Sequence, residues 1–463
     1  MDDESVKKSA LIVATVSSFV TPFMGSSINV ALPAIQRDLQ LDAVSLSWVA
    51  TSFLLAAAVF LVPFGRLADL HGRKRVYVYG IMIYTASSLL AALSVSAAML
   101  LISRVVQGIG SAMIFGTGIA ILTSVFPPGE RGRALGINVA AVYTGLSLGP
   151  FLGGLLTQHL TWRSVFWINL PLGLSIIALV FWKLKGEWAG ARGETFDWKG
   201  SIIYGPAIIA LMYGISQLPA VWSWGMIGLG IVGIAAFVWW EGRVAHPVFE
   251  IGLFKTNRVF ALSSVAALIN YSATFAVTFL VSLYLQYIKG LNAQEAGVIL
   301  VAQPVVMAAL SPVAGRLSDR IEPRVVASLG MGVTTLALVL FALVGERTQT
   351  VVLVGCLMLL GLGLALFSSP NTNAIMGSVE RHYYGIASGA VATMRLLGQM
   401  LSMGIATLAI AVIVGKVKMS PAYFPQFLKS MRVSFAVFSV LCGLGVFASL
   451  ARGTLHEAQH DHS

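Results

Sequence analysis

Charge is scarce in this sequence: Asp, Glu, Lys and Arg together make up 11% of its 463 residues, against about 25% in soluble domains. So few charges cannot cover a water-facing surface, which excludes a soluble enzyme and a disordered chain. Cysteine is scarcer still. Cys356 and Cys442 both lie in long apolar runs, so they read as small buried hydrophobes, and a disulfide-stapled secreted scaffold is excluded. A cleavable leader is also missing: the polar start MDDESVKK enters an apolar stretch too long for a signal h-region. No nucleophile, acid–base pair or metal cluster stands out, so the chain reads as a non-enzyme that needs no cofactor. What is abundant is apolar residues, at 57%, and glycine, at 46, the composition of helices that pack closely in lipid. The chain reads as an all-α integral membrane protein.

A membrane helix needs about 20 mostly apolar residues. Fourteen such stretches are predicted, at 9–31, 45–65, 76–95, 98–125, 134–156, 164–184, 199–218, 222–240, 258–287, 295–315, 325–345, 350–370, 384–413 and 431–450. An even count puts both termini on one side. With the N-terminus inside, the inner loops and tails hold 20 of the 30 Lys and Arg residues and the outer loops eight, while Arg104 and Arg395 fall within spans. This asymmetry predicts cytoplasmic termini in the cell (inner or plasma) membrane and accounts for the net charge of +11 without nucleic acid.

The segment Gly65-Arg66-Leu67-Ala68-Asp69 recurs as Gly315-Arg316-Leu317-Ser318-Asp319, each time at the inner end of a span. Two six-helix halves alone would place the second copy two spans earlier. The expected organisation is therefore an N-terminal six-helix bundle at 1–185, two inserted helices at 186–257 and a C-terminal six-helix bundle at 258–452. A polar, His-containing tail follows at 453–463. Parallel halves of this kind bind substrate between them at the midplane.

Two pattern matches are refused. Gly228-Leu229-Gly230-Ile231-Val232-Gly233 fits the dinucleotide fingerprint but sits inside an apolar span, without the strand and acidic residue that such a site needs. His456-Glu457-Ala458-Gln459-His460 fits a zinc-protease pattern but lies in a polar tail without a buried helix or a third ligand. Adventitious metal binding by that tail remains open; proteolysis does not, and no metal site is assigned.

Several stretches together resemble one family. They are Ile28-Asn29-Val30-Ala31-Leu32-Pro33, the loop from Gly65 to Arg75, Arg104-Val105-Val106-Gln107-Gly108, the run from Gly145 to Gly154, and Trp162-Arg163 with Ile168-Asn169-Leu170-Pro171-Leu172-Gly173. Further along come Phe196-Asp197-Trp198, His246-Pro247, Tyr284-Leu285-Gln286 and Arg395-Leu396-Leu397-Gly398. In this order they resemble the fourteen-helix drug/proton antiporter branch of the major facilitator superfamily. The resemblance implies two six-helix bundles plus two additional helices. It also implies a secondary active transporter that exports hydrophobic or amphipathic small molecules by alternating access, as in multidrug efflux, with protons as the coupling ion.

Each motif has its own physical reading. Gly65 and Gly72 permit a sharp turn between helices. Asp69 can accept hydrogen bonds, and Arg73 and Lys74 can pair with carboxylates or lipid phosphate. By resemblance this loop, with Gly315 and Asp319 as its second copy, latches an inner gate; a plain topology signal is the alternative. Arg104 within a span is expected to face a cavity, with Gln107 one turn away, or else to snorkel to the headgroups. Gly145, Gly149 and Gly153 form one stripe bent at Pro150, with Gly154 beside it. The resemblance associates this stripe with exporters; helix packing is the competing reading.

One departure stands out. Exporters of this branch usually carry an aspartate where this sequence has Met24, and no Asp, Glu or His is placed mid-span. A proton relay normally uses such groups, so proton coupling is expected to be weak. A neutral or anionic amphiphile then fits better than a lipophilic cation. The substrate-cavity candidates are Met24, Asn29, Arg104 and Gln107, then Tyr284, Gln286, Gln303, Asn371, Asn373 and Arg395. The alternatives are a transporter or facilitator of lipid or fatty-acid-like amphiphiles without strict proton coupling, and, more remotely, a membrane sensor that transports nothing.

Overall fold

The computed structural model describes residues 3–184, 186–191, 193–244, 247–380 and 384–453, which form seventeen α-helices and, among the described residues, no strand. The first seven are α1 (Asp3–Leu39), α2 (Ala43–His71), α3 (Arg73–Ala92), α4 (Ala97–Val125), α5 (Pro128–His159), the one-turn α6 (Ser164–Trp167) and α7 (Asn169–Lys183). Next come α8 (Trp198–Ser216) and α9 (Val221–Glu241), then the short α10 (Ile251–Thr256) and α11 (Arg258–Leu283), which ends in a π-helical turn over Tyr284–Ile288. The remainder are α12 (Ala293–Leu300), α13 (Ala302–Arg320), α14 (Pro323–Ala342), α15 (Thr350–Gly377), α16 (Tyr384–Ile413) and α17 (Phe424–Leu450). The tail beyond Gly453, with its His456 and His460, lies outside the described residues.

Local chemistry sets the helix starts. Asp42 accepts from the backbone N–H groups of Val44 and Ser45, Ser96 from Met99, Asp197 from Gly200 and Asn257 from Phe260, each satisfying donors that a first turn leaves free. Between α2 and α3 the chain reverses at a single residue, Gly72, with φ +121°, a conformation that a side chain would strain.

Among the described residues, twelve helical segments are long and apolar enough to cross a membrane, against the fourteen predicted. The two outside that set are α3 and α8, at the predicted spans 76–95 and 199–218. Both are helical, but α3 opens on Arg73-Lys74-Arg75, and the 19-residue α8 carries Lys199, Pro206 and two tyrosines. Length and composition alone therefore carry twelve crossings.

The described chain divides into two compact units. The first runs to Phe249 and includes Asn292–Gly297; the second takes Glu250–Leu291 and the chain from Val298 onward. The α8–α9 pair belongs to the first, where Tyr204 of α8 donates to the Ala58 carbonyl at 3.0 Å. Only 17% of the apolar stretch of α9 is buried, and Trp222, Trp224 and Trp239 are exposed at its two ends, as in a helix that meets lipid and its interfaces. The refused Gly228–Gly233 run lies here, with Gly230 against Leu211 and Gly233 against Ala207 of α8.

Inside each unit, glycines set the helix crossings, and the crossings repeat. A methyl group at Gly108 of α4 would meet the Phe53 carbonyl of α2, and one at Gly361 of α15 would meet the Gln303 carbonyl of α13. Gly80 and Gly110 bring α3 onto α4, and Gly330 and Gly363 bring α14 onto α15. Gly145 sets α5 on α1 at Phe19 and Phe23; Gly398 sets α16 on α11 at Leu268 and Ser272. The duplication seen in the Gly65 and Gly315 segments therefore extends through the packing of both units.

Candidate functional site

Arg104 lies in the interior of α4 and is 1% exposed. Its Nε donates to the Val49 carbonyl at 2.9 Å, its Nη1 donates to Gln107 Oε1 at 2.5 Å, and its guanidinium lies 4.4 Å from the centre of the Phe53 ring. Gln107 Nε2 in turn donates to Ser88 Oγ at 2.8 Å. The sequence-predicted pair thus ties α2, α3 and α4 together around a fixed cation, with no carboxylate bonded to it among the described residues.

Met24 of α1 is equally buried, and its sulfur accepts from Asn169 Nδ2 of α7 at 3.2 Å. Asn29, one turn on, is 4% exposed. The neighbouring face of α1 carries the α5 stripe. A Cβ at Gly145 would lie 2.5 Å from the Phe19 carbonyl oxygen, and one at Gly153 would lie 2.8 Å from Ser27 Cα. Gly149 packs on Phe23 and Ser26, while Ser27 Oγ donates to the Gly149 carbonyl at 2.8 Å, beside the proline bend at Pro150. Gly154 faces the first unit's Ala293 instead.

The turn from Gly65 to Arg75 is wrapped by the segment that follows α7. Within the turn, Arg73 Nε donates to Asp69 Oδ1 at 2.8 Å, and its Nη1 reaches Ser124 Oγ at 2.6 Å and the Ala120 carbonyl at 3.1 Å at the end of α4. From the wrapping segment, Glu187 Oε1 accepts the Lys74 backbone N–H at 2.8 Å, and Glu194 Oε2 accepts from Arg66 Nη2 at 2.5 Å. Lys74 Nζ donates to the Leu184 carbonyl at 2.5 Å, and Ala191 N–H donates to the Asp69 carbonyl at 3.0 Å. Glu187 lies against Gly72, and the positive φ of that position is what disfavours a side chain there.

In the second unit the predicted residues scatter. Tyr284 donates to the Gly345 carbonyl at 2.7 Å, Gln286 donates to Ser282 Oγ at 3.2 Å, and Gln303 accepts from Thr278 at 3.5 Å. Arg395 is half-buried, 5.9 Å from the Tyr271 ring centre. Asn373 donates to Ser318 Oγ at 3.1 Å, which places it on the second copy of the turn beside Gly315. The side chain of Asp319 lies outside the described residues. Asn371 is taken up by an arginine that stands just beyond the last predicted span: Arg452 Nη1 donates to Asn371 Oδ1 at 2.7 Å.

Among the described residues, every Asp and Glu within a helix stands in its first or last turn. Asp38, near the end of α1, accepts from Trp162 at 3.0 Å and from Arg163 at 2.8 Å. Sequence reasoning passed over Glu187, Glu194 and Arg452, and noted Asn169 only as part of the Ile168–Gly173 motif. The acidic pair could have been suspected, since 184–197 sets two glutamates within reach of a basic turn; nothing in the sequence marks Arg452 as buried.

The profile of the Major Facilitator Superfamily matches residues 14–403 and, separately, 263–461. The riboflavin transporter RibZ of Clostridioides difficile is 30% identical, over 84% of this chain and 84% of its own length. The multidrug resistance protein Stp of Mycobacterium tuberculosis is 33% identical over 82% of this chain and 71% of its own. The tetracenomycin C resistance and export protein of Streptomyces glaucescens is 28% identical, over 88% and 76%. Among solved structures, the peptide transporter POT matches with a TM-score of 0.69 at 15% identity, over 96% of this chain and 98% of its own. The nucleoside transporter NupG matches at 0.64 and 15%, over 96% and 99%. At that identity the two structures speak to fold alone.

Proposed function

This chain belongs to the Major Facilitator Superfamily, and from that premise we propose that it exports hydrophobic or amphipathic small molecules by alternating access, with weak dependence on a proton gradient. Both termini are cytoplasmic in this reading, and α3 and α8 complete fourteen crossings of the fourteen-helix branch. The α2–α3 turn is then an inner gate latch, and the cavity candidates named above supply the substrate contacts. Export is supported by the relatives whose names state resistance or export.

The observation that carries weak coupling is Met24. It occupies the buried position in α1 where the family pattern has an acid, and its polar neighbour is the neutral amide of Asn169. A proton carrier in the membrane interior is ordinarily a buried Asp, Glu or His. Facilitated movement of a lipid- or fatty-acid-like amphiphile is the second reading. It is favoured by Arg395, a half-buried cation in the interior of α16 that suits an anionic head.

Transport by purified protein in proteoliposomes, with and without a pH gradient, tests both. The panel is riboflavin, ethidium, tetracenomycin C and oleate. Movement of an uncharged or anionic compound at a rate that changes less than about twofold with the gradient is expected. Transport of ethidium alone, abolished when the gradient collapses at fixed membrane potential, would overturn the reading.

A further inference from the structure

We propose that Arg452 is the second unit's counterpart of Arg73: a positioning residue, supplied from the end of the chain, that staples the α13–α14 turn to α11 and α15 so that these helix ends move as one block. The proposal rests on the gate reading of the Gly65–Arg75 turn.

The repeat itself shows that the second turn lacks its arginine. Phe53 and Gln303, Gly65 and Gly315, Gly80 and Gly330, and Tyr84 and Thr334 hold matching places in the two units, each pair 250 residues apart. The same spacing pairs Arg73 with Pro323. Proline has no side-chain donor, so position 323 cannot bond to the end of α15 as Arg73 bonds to the Ala120 carbonyl and Ser124 at the end of α4.

Arg452 fills that place from a different direction. It stands two residues beyond α17, where an arginine would ordinarily extend its head into water or headgroups, yet it is 1% exposed. Its Nη1 donates to Asn371 Oδ1 of α15 at 2.7 Å and to Ser263 Oγ of α11 at 3.1 Å; its Nη2 donates to the carbonyl of Pro323 itself at 3.1 Å. Asn371 Nδ2 closes the ring by donating to the Ser263 carbonyl at 3.1 Å. None of these acceptors belongs to α17, so capping of its own helix does not explain the side chain. Burial pulls the guanidinium down to about 10, so it stays charged at neutral pH. Burying a charge in this way is costly, and the fork geometry that offsets the cost is one lysine cannot reproduce.

The test compares Arg452→Gln, Arg452→Lys, Asn371→Asp and Arg73→Gln with the wild-type full chain. The first measurement is hydrogen–deuterium exchange, which needs no substrate. Arg452→Gln should raise exchange at least tenfold in 315–325 and 371–378 and leave 65–75 unchanged, and Arg73→Gln should do the reverse. The second is transport of riboflavin, the uncharged compound of the panel, in proteoliposomes. Arg452→Gln should lower turnover about tenfold with half-saturation within twofold, and Arg452→Lys should recover less than half of the loss. Asn371→Asp, which sets a carboxylate against the guanidinium, should slow exchange in 371–378 below wild type and also lower turnover. That variant decides the matter even if Arg452→Gln does not fold. Unchanged exchange in 315–325 on Arg452→Gln, full recovery by lysine, or wild-type exchange in Asn371→Asp would each overturn the proposal. If Arg73→Gln alone is neutral, the gate reading of the first turn fails and the Arg452 staple stands. If Arg452→Gln alone is neutral, the staple fails and the gate reading stands.

Discussion

The side-chain amide of Asn169 donates to the sulfur of Met24 at 3.2 Å, joining α7 to α1 where both residues are fully enclosed. An acid at position 24 would find that amide already placed as a hydrogen-bond donor. Met24→Asp should therefore make transport respond to a pH gradient, raising the initial rate several-fold when the gradient is imposed. Insertion of the acid costs about 2.5–3.5 kcal/mol at mid-membrane, so a lower yield is also expected. Proteoliposome rates measured with and without the gradient check this, and a Met24→Asp rate that ignores the gradient contradicts it.

Asp69→Asn should slow turnover while leaving affinity nearly untouched. The carboxylate accepts from Arg73 Nε at 2.8 Å, and in the proposed gate the loss of that bond alters the population of gate states before it alters the cavity. Turnover about tenfold lower with half-saturation within twofold is the expected kinetic signature. Weakened binding at unchanged turnover would argue against a latch.

Gly145→Val should destabilise the first unit, because the new side chain meets the Phe19 carbonyl oxygen and the Phe23 backbone nitrogen of α1. Gly398→Val should do the same in the second unit, at Leu268 and Ser272. Overpacking of this kind costs about 1–3 kcal/mol, read as a lower thermal midpoint in detergent. Gly228→Ala, with no neighbouring atom within 4 Å, should leave the midpoint alone. Equal effects at all three positions would refute the crossing assignment.

Arg104→Ala strips Gln107 Oε1 and the Phe53 ring of their partner inside packed helices. Leaving a buried polar group unpaired costs about 1–3 kcal/mol. Arg104→Lys should recover little, since an ammonium cannot bond to Val49 and Gln107 while lying flat on the ring. Thermal midpoints and transport rates for the two variants check this; full recovery by lysine would count against it.

Topology is tested in intact cells with both native cysteines replaced. A membrane-impermeant thiol reagent applied outside should label Arg347→Cys, an exposed loop position, and spare Lys8→Cys at the start of α1. The opposite pattern would invert the orientation.

Much of this protein is legible without coordinates because lipid imposes a simple rule: a crossing helix must be long and apolar. Every predicted span falls on helical chain, although 164–184 is divided between α6 and α7 and 295–315 between α12 and α13, and the Gly65 and Gly315 segments disclosed the duplication that Gly108 and Gly361 continue in the packing. The candidate polar residues were harder to place, because hydropathy says that a side chain lies in a span and not which way it points. Arg104 and Gln107 are three residues apart, so helical periodicity alone puts them on one face. Asn371 and Asn373 also face the turn end of α15, but their partners, Arg452 and Ser318, are distant in sequence.

Composition and a repeated motif pointed to a membrane-spanning helical protein built by duplication, with no acid mid-helix among the described residues, since these are properties of residues taken one or a few at a time. Tertiary structure alone decided which charges are spent within each unit. Glu187 and Glu194 close over the turn at Asp69, and Arg452 leaves the surface for Ser263, Asn371 and Pro323. A loop charge and a buried charge look alike in sequence. The difference is the desolvation that only particular acceptors, brought from distant parts of the chain, can offset.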